Sequence, residues 1–250
     1  MTSNLNLWMQ QLMNRMKQIT QPKNRSEILK KSNDPNHKRE FIVIGLGRFG
    51  TSLAMTLDAF GHDVLSVDTD MKRVQTVGQR LPHVIQIDAT DIDALREVGA
   101  ELFDTAIICI GSDFESNLLA AVNLRKLGAR RVVAKARTVT QQEILLRVGV
   151  DEVVLPEHEA GVRLGRRLSA INFVDFMELS DDMAVVEVIT PPQFAGKNLR
   201  DTEIRKQFGL TVVAIKRGEQ VVVSPRADEI MNPEDILVIL GKTADCERFR

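Results

Sequence analysis

The fold is decided by the stretch Phe41-Ile-Val-Ile-Gly45-Leu-Gly47-Arg48-Phe49-Gly50. Four consecutive apolar residues predict a strand buried on both faces, and the chain then runs through Gly-x-Gly-x-x-Gly into a helical pattern. Gly45 permits the tight turn, Gly47 lets the backbone approach a pyrophosphate, and Gly50 allows close packing of helix on strand. The start of the helix offers free N–H groups and a partial positive charge to phosphate oxygens. A second apolar run at 64–67 ends on Asp68, 23 residues after Gly45. An acid there accepts hydrogen bonds from ribose hydroxyls and repels a 2′-phosphate, which favours NAD or an adenine nucleotide over NADP.

Working outward, further apolar runs at 84–87, 106–110, 131–134 and 153–155 alternate with helical stretches near 48–60, 70–80, 91–99, 113–127 and 138–148. Six strands alternating with five helices predict an α/β fold, a Rossmann-like doubly wound parallel sheet, because parallel neighbours need crossover connections and the helices supply them. In such a sheet the ligand crevice lies at the carboxyl ends of the strands. The candidates there, with Phe49 of the glycine motif, are Asp70 and Arg73 after Asp68, then Asp88-Ala89-Thr90, which lines a candidate adenine pocket. Ile110-Gly111-Ser112 closes the fourth strand and Lys135 the fifth. Lys135 either pairs with a phosphate as a point charge or lies with Arg137 on a solvated rim. Arg48 brings five donors suited to phosphate oxygens. Asp113 serves the site or only caps the helix that follows it.

After Asn172 the pattern changes to short strands at 184–189, 211–216, 220–224 and 236–240 with a helix near 201–208. Arg217-Gly218-Glu219 predicts a hairpin turn, and Pro191-Pro192 and Asn232-Pro233 are turn punctuation. The expected organisation is a tail over 1–39, a nucleotide-binding domain over 40–156, a crossover helix over 157–172 and a small α+β domain over 173–250. Val162, Leu164, Leu168 and Ile171 of the crossover stretch pack either on a partner subunit or in the chain's own core.

A chain of 250 residues with net charge −1 holds one or two domains and is not a generally basic nucleic-acid binder. That balance averages two unlike parts. Residues 1–39 carry 8 basic and 2 acidic residues, and the remainder 25 basic and 32 acidic. Within the tail, Leu5, Trp8, Met9, Leu12, Met16 and Ile19 share one helical face, which Pro22 ends. This pattern fits an interfacial helix for anionic lipid, a docking helix for a partner, or an unstructured leader. Cys109 and Cys246 lie far apart with no Cys-x-x-Cys spacing, which argues against a metal knuckle and fits a reducing compartment. With no apolar run of about 20 residues and no signal-peptide pattern, the expectation is a cytoplasmic chain.

A glycine-motif domain followed by a smaller one is also the outline of an NAD(H)-dependent oxidoreductase. Hydride transfer usually needs a positioned His, Lys or Tyr. The chain has no tyrosine, and its histidines, His37, His62, His83 and His158, all precede the last domain. Cys109 sits in an apolar run and is expected to be a buried core residue. A ligand-driven switch needs no such groups, only two states of different affinity.

The glycine motif with Arg48, Val67-Asp68, Asp88-Ala89-Thr90, Ile110-Gly111, Lys135-Ala136 and Leu155-Pro156-Glu157 resemble, in that order, the regulator-of-potassium-conductance domains of the Trk and Ktr potassium-uptake systems. The likeness continues through 184–188, 199–209, Val213-Ala-Ile-Lys216-Arg217 and 235–241, and is nearest to the KtrA-type cytosolic subunits. The resemblance implies a non-enzymatic regulatory subunit that binds ATP or ADP, or NAD(H). It implies homodimers assembled into an octameric ring against a membrane-embedded potassium translocation subunit, hence a peripheral place at the inner face of the cell membrane. It further implies that Arg48 contacts the terminal phosphates of ATP and that Glu157 helps to hold Mg²⁺ or Ca²⁺ at the γ-phosphate across a dimer interface. The last domain resembles one that binds a regulatory ligand such as cyclic di-AMP. Several relatives carry Asn where this chain has Asp88, and the long basic tail exceeds the short start usual in the family.

Overall fold

The structure, a computed structural model, describes residues 38–169, 173–180 and 182–249. The amphipathic face at 5–19, nearly all of the linker and Ile171 lie outside the described residues. The chain divides into two compact units, one ending at Pro156 and the other beginning at Glu157.

The first unit runs β1 (Glu40–Ile44), α1 (Arg48–Ala59), β2 (Asp63–Asp68), α2 (Met71–Val77), β3 (Val84–Gln86) and α3 (Ile92–Glu97). After a single 3₁₀ turn it continues with β4 (Thr105–Ile108), α4 (Phe114–Leu127), β5 (Val132–Lys135), α5 (Val139–Val148) and β6 (Glu152–Val154). All six strands are parallel, in the order β3-β2-β1-β4-β5-β6. The sheet is therefore the expected Rossmann-like one. Its order reverses between β1 and β4, and that reversal opens a crevice at their carboxyl ends.

Strand β1 shows why an unbroken apolar run was required. Ile42 and Ile44 join one core layer with Leu65, Ile108, Leu124 and Leu145. Phe41 and Val43 point the other way, into a layer with Ala54, Val64 and Ile107. Each such fully buried side chain contributes about 1.5–3 kcal/mol. Asp70, Asp91, Asp113 and Thr138 cap α2, α3, α4 and α5 by accepting first-turn N–H groups, each cap worth about 1 kcal/mol.

The second unit comprises α6 (Pro156–Ser169), β7 (Phe173–Glu178), β8 (Met183–Ile189), α7 (Leu199–Thr202), α8 (Ile204–Phe208), β9 (Thr211–Arg217), β10 (Gln220–Val223), β11 (Ile236–Lys242) and α9 (Thr243–Arg248). Its strands form an antiparallel sheet ordered β10-β9-β11-β8-β7. The β9–β10 hairpin turns at Gly218, whose φ of +59° suits the first of two turn positions.

Three features differ from the pattern-based expectation. Strand β7 escaped notice because its register slips between Phe173 and Asp175, and a bulge breaks the period of two. The single helix expected at 201–208 is two short ones, parted at Glu203 with φ +46°. Helix α9 was not foreseen, yet it buries Cys246 and delivers Phe249 into the core. There Phe249 stacks on Phe194 at 5.4 Å between ring centroids and meets Phe208 edge-on at 5.3 Å.

One ion pair ties this unit together. Asp235 is 1% exposed and receives Arg217 in bidentate fashion, Nε to Oδ1 at 3.0 Å and Nη2 to Oδ2 at 2.8 Å. The same guanidinium donates to the Ile230 carbonyl at 2.9 Å, and Asn232 N–H adds a bond to Oδ2 at 2.8 Å. Arg217 thus clamps the loop before β11 onto β9.

Candidate nucleotide-binding site

The glycine loop joins β1 to α1. Gly45 adopts φ +98°, and a Cβ there would come within 3.1 Å of the Cys109 carbonyl carbon and the Ile110 nitrogen on β4's continuation. A Cβ on Gly50 would lie 1.9 Å from the Gly45 carbonyl oxygen. Both positions are closed by the protein itself. Gly47 is different: its backbone is ordinary extended chain, φ −68° and ψ −173°, and a Cβ would meet no protein atom within 4 Å. Packing does not ask for glycine at this point, whereas a phosphate brought against the backbone does. Helix α1 begins immediately after with no side-chain cap and no acid in its first turn. Its first N–H groups and its dipole therefore suit an anion. Arg48 is exposed at that terminus and makes no hydrogen bond or ion pair with the described residues.

Asp68 ends β2 beside this loop and is 6% exposed. Its Oδ2 accepts the Leu46 N–H at 2.6 Å and faces Arg73 Nη1 at 3.3 Å, while Oδ1 accepts the Asp70 N–H at 2.8 Å. The carboxylate latches the glycine loop to the end of β2, a structural task that its position in the motif did not disclose. Asp70 caps α2 through the Lys72 N–H at 2.8 Å, and Arg73 Nε lies 3.7 Å from it. Arg73 thus bridges two acids beside the crevice.

The other strand ends are held partly by Asn117 and Asn123, which the sequence reading overlooked. Asp88 folds onto Thr90, accepting from its N–H at 2.9 Å and its hydroxyl at 2.7 Å. The buried Asn123 of α4 donates to the Thr90 carbonyl at 2.8 Å, pinning this turn with Ala89 inside it. Asn117, also on α4 and 1% exposed, donates to the carbonyls of Ile110 at 2.7 Å and Lys135 at 2.9 Å. The signal was present: Asn117 occupies the inward stripe that continues through Ala120, Ala121 and Leu124, where a polar residue needs a reason.

Lys135 is buried, so the solvated-rim alternative holds only for Arg137, which is exposed. The Lys135 ammonium lies 5.7 Å from the Phe49 ring centroid and 3.2 Å from where a Gly111 Cβ would be. Three candidates from three strand ends meet at that point. Ser112 is exposed on the same loop. Asp113 is the cap of α4, and the Ser116 hydroxyl at 2.5 Å holds its carboxyl below the usual range. Burial pushes the Cys109 thiol up to about 12, the opposite of a reactive cysteine.

Glu157 belongs to the second unit, exposed in the first turn of α6. Among the described residues no three His, Cys, Asp or Glu side chains gather to hold a metal ion. No helix among them is long and apolar enough to cross a membrane.

The TrkA-N domain family matches residues 41–156 and the TrkA-C domain family residues 183–250. The chain is 36% identical over 212 residues to the Ktr system potassium uptake protein C of Bacillus subtilis, covering 85% of this chain and 96% of that one. It is 31% identical to the Ktr system potassium uptake protein A of the same organism, covering 84% of this chain and 95% of the relative. Among solved structures, the GsuK channel bound to NAD superposes with a TM-score of 0.62 at 18% identity, a likeness of fold. The match takes in 84% of this chain but spans only 38% of the channel chain. With both domain families in sequence and a relative above 30% identity matched nearly end to end, the chain belongs to the regulator-of-potassium-conductance family of the Ktr potassium uptake proteins.

Proposed function

We propose that this chain is a cytosolic regulatory subunit that binds a nucleotide at the glycine loop and switches a membrane potassium translocation subunit. The observation that carries the reading is the contrast at the loop. A Cβ at Gly45 or Gly50 would meet the protein's own backbone, whereas a Cβ at Gly47 would meet no protein atom within 4 Å, which a phosphate brought against the backbone there accounts for. Gly47, the uncapped start of α1 and Arg48 then face the phosphates of ATP, ADP or NAD(H), with Phe49, Gly111, Ser112 and Lys135 beside them. Asp68, Asp70 and Arg73 border the ribose, and Asp88, Ala89 and Thr90 the base. The fold neighbour GsuK holds NAD, and the curated relatives are potassium uptake proteins.

A γ-phosphate adds charge-assisted contacts to Arg48 that a diphosphate lacks. Such differential affinity shifts the population between two arrangements of the assembly. The assembly is a homodimer built into an octameric ring, and the exposed Val162, Leu164 and Leu168 of α6 supply apolar surface for a second copy. The segment 157–172 is the crossover between a nucleotide domain over 40–156 and a regulatory domain over 173–250, which takes a ligand such as cyclic di-AMP. A single carboxylate with phosphate oxygens and water is the usual setting for Mg²⁺, so Glu157 fits an ion at the γ-phosphate across a dimer interface, and Ca²⁺ is the alternative. The chain sits peripherally at the inner face of the cell membrane.

Catalysis is disfavoured by the chemistry available. The second unit lacks histidine beyond His158, tyrosine is absent throughout, and the Cys109 thiol is buried and protonated. The deciding experiment is a thermal-shift panel of ATP, ADP, NADH and NADPH with and without Mg²⁺, since a ligand of the native state raises Tm by mass action. Stabilisation by ATP that Glu157→Gln diminishes supports the switch. Stabilisation by NADH alone, with turnover of a substrate, overturns it in favour of an oxidoreductase.

A further inference from the structure

We propose that Asn117 is a positioning residue for the nucleotide, acting through Lys135: its amide ties the ends of β4 and β5 together and so sets where the Lys135 ammonium stands against Gly111 and Phe49. The inference rests on the nucleotide reading above and assigns a role that the glycine motif does not contain.

The backbone ladder between β4 and β5 has its last paired residues at Ile108 and Ala134. Beyond that point the two chains have no further rung of their own. Asn117 supplies one. Its single amide nitrogen spends both protons, on the Ile110 carbonyl at 2.7 Å and on the Lys135 carbonyl at 2.9 Å. Those carbonyls belong to the residue before Gly111 and to Lys135 itself. The backbone points that Asn117 fixes therefore carry Gly111 and Lys135, whose ammonium stands 3.2 Å from a Gly111 Cβ position and 5.7 Å from the Phe49 centroid.

The amide oxygen of Asn117 is buried and has no hydrogen-bond partner among the described residues. Leaving a buried acceptor unpaired is unfavourable. An apolar residue of similar size would remove that cost but would strand two strand-end carbonyls instead. The position keeps an amide for its donors, and both donors go to the crevice edge rather than to α4 or its packing neighbours.

The test is a double-mutant cycle on the full chain, titrating a fluorescent N-methylanthraniloyl ATP into wild type, Asn117→Ala, Lys135→Met and the double variant. If Asn117 works through Lys135, Asn117→Ala weakens binding about tenfold in the wild-type background and less than about twofold once Lys135 is Met. Asn117→Ser, which keeps one donor, falls between Ala and Asn in affinity. Melting without nucleotide reads the scaffold separately, and any loss of Tm from Asn117→Ala is the same in both backgrounds. Equal affinity losses in both backgrounds overturn the proposal and leave Asn117 a scaffold residue, with the nucleotide reading intact. Failure of the wild type to bind this probe, together with no stabilisation by ADP or NADH in the thermal-shift panel, overturns both. Should Asn117→Ala not fold, the same cycle is run with Asn117→Ser.

Discussion

The Asp68 carboxylate accepts the backbone N–H of Leu46 at 2.6 Å, across 22 positions of sequence. The acid that marks the end of the second strand is thereby tied to the glycine loop. One Oδ1 lone pair remains for a ribose hydroxyl, since Oδ1 accepts only from Asp70 and Oδ2 is shared by Leu46 and Arg73. Asp68→Ala removes the latch, and a buried hydrogen bond to a charged group is worth about 1.5–3 kcal/mol. The expected outcome is a lower urea midpoint with an unchanged slope, together with weaker nucleotide binding. Weaker binding at undiminished stability would show that the latch does not hold the loop.

The three loop glycines separate in a mutational test. Gly50→Ala drives a Cβ to 1.9 Å from the Gly45 carbonyl oxygen, so it abolishes soluble folding or costs roughly 3 kcal/mol or more by overpacking. Gly47→Ala meets nothing within 4 Å and needs no unusual φ. Its stability stays within about 1 kcal/mol of wild type. Its affinity for ATP and ADP falls at least tenfold, read by calorimetric titration. Unaltered affinity in Gly47→Ala would remove the phosphate from this position.

Arg48 has no partner among the described residues for its stability to depend on. Arg48→Gln therefore leaves the nucleotide-free Tm unchanged within the ~0.5 kcal/mol typical of surface positions. A charge-assisted hydrogen bond to a γ-phosphate is worth roughly 1.5–3 kcal/mol, so ATP affinity drops 10- to 100-fold while ADP affinity changes less. A parallel loss for both nucleotides would place Arg48 on another phosphate.

Acid lability of the second unit follows from Asp235. Burial alone would raise its carboxyl, but the hydrogen bonds from Arg217 and the Asn232 N–H outweigh that and hold it below the ordinary 3.8. A carboxyl depressed in the folded state stabilises it at pH values above the unfolded pKa, and that contribution is lost as pH falls through the folded value. Stability measured by urea denaturation should then be flat near neutrality and decline below about pH 4. Arg217→Met leaves the Asp235 charge buried without its partner. The cost at pH 7 is about 3 kcal/mol, the low end for a buried pair because Arg217 is 38% exposed. The acid transition moves to higher pH. A pH profile identical to wild type would remove the pair from the account.

The sequence of residues 1–39, with 8 basic residues and apolar residues at helical spacing, offers a separate prediction. Full-length protein should sediment with anionic phosphatidylserine vesicles and be released by raised salt, because attraction to such a surface decays within a Debye length. Deleting residues 1–38 should abolish the binding. Equal sedimentation of both forms would exclude the tail as the contact.

The sheet was legible because its information is local. Runs such as 41–44 and 64–67 declare two-faced burial, Asp113 offers itself as a cap for the helix that follows it, and the Gly-x-Gly-x-x-Gly spacing declares a turn that only glycine accommodates. Strand β7 and helix α9 were not legible, one because a bulge spoils the alternation and the other because six residues are too few for a helical period. The candidate residues were legible as a set of strand ends, but not in what they do. That Asp68 latches Leu46, that Lys135 is buried against Gly111 and Phe49, that Asn117 reaches the Lys135 carbonyl and that Arg217 clamps Asp235 are each decided by partners 18 or more positions away. Periodicity and turn chemistry are short-range steric properties, so sequence alone determines them; which distant side chains share a buried space depends on how the layers close, and only the tertiary structure decides it.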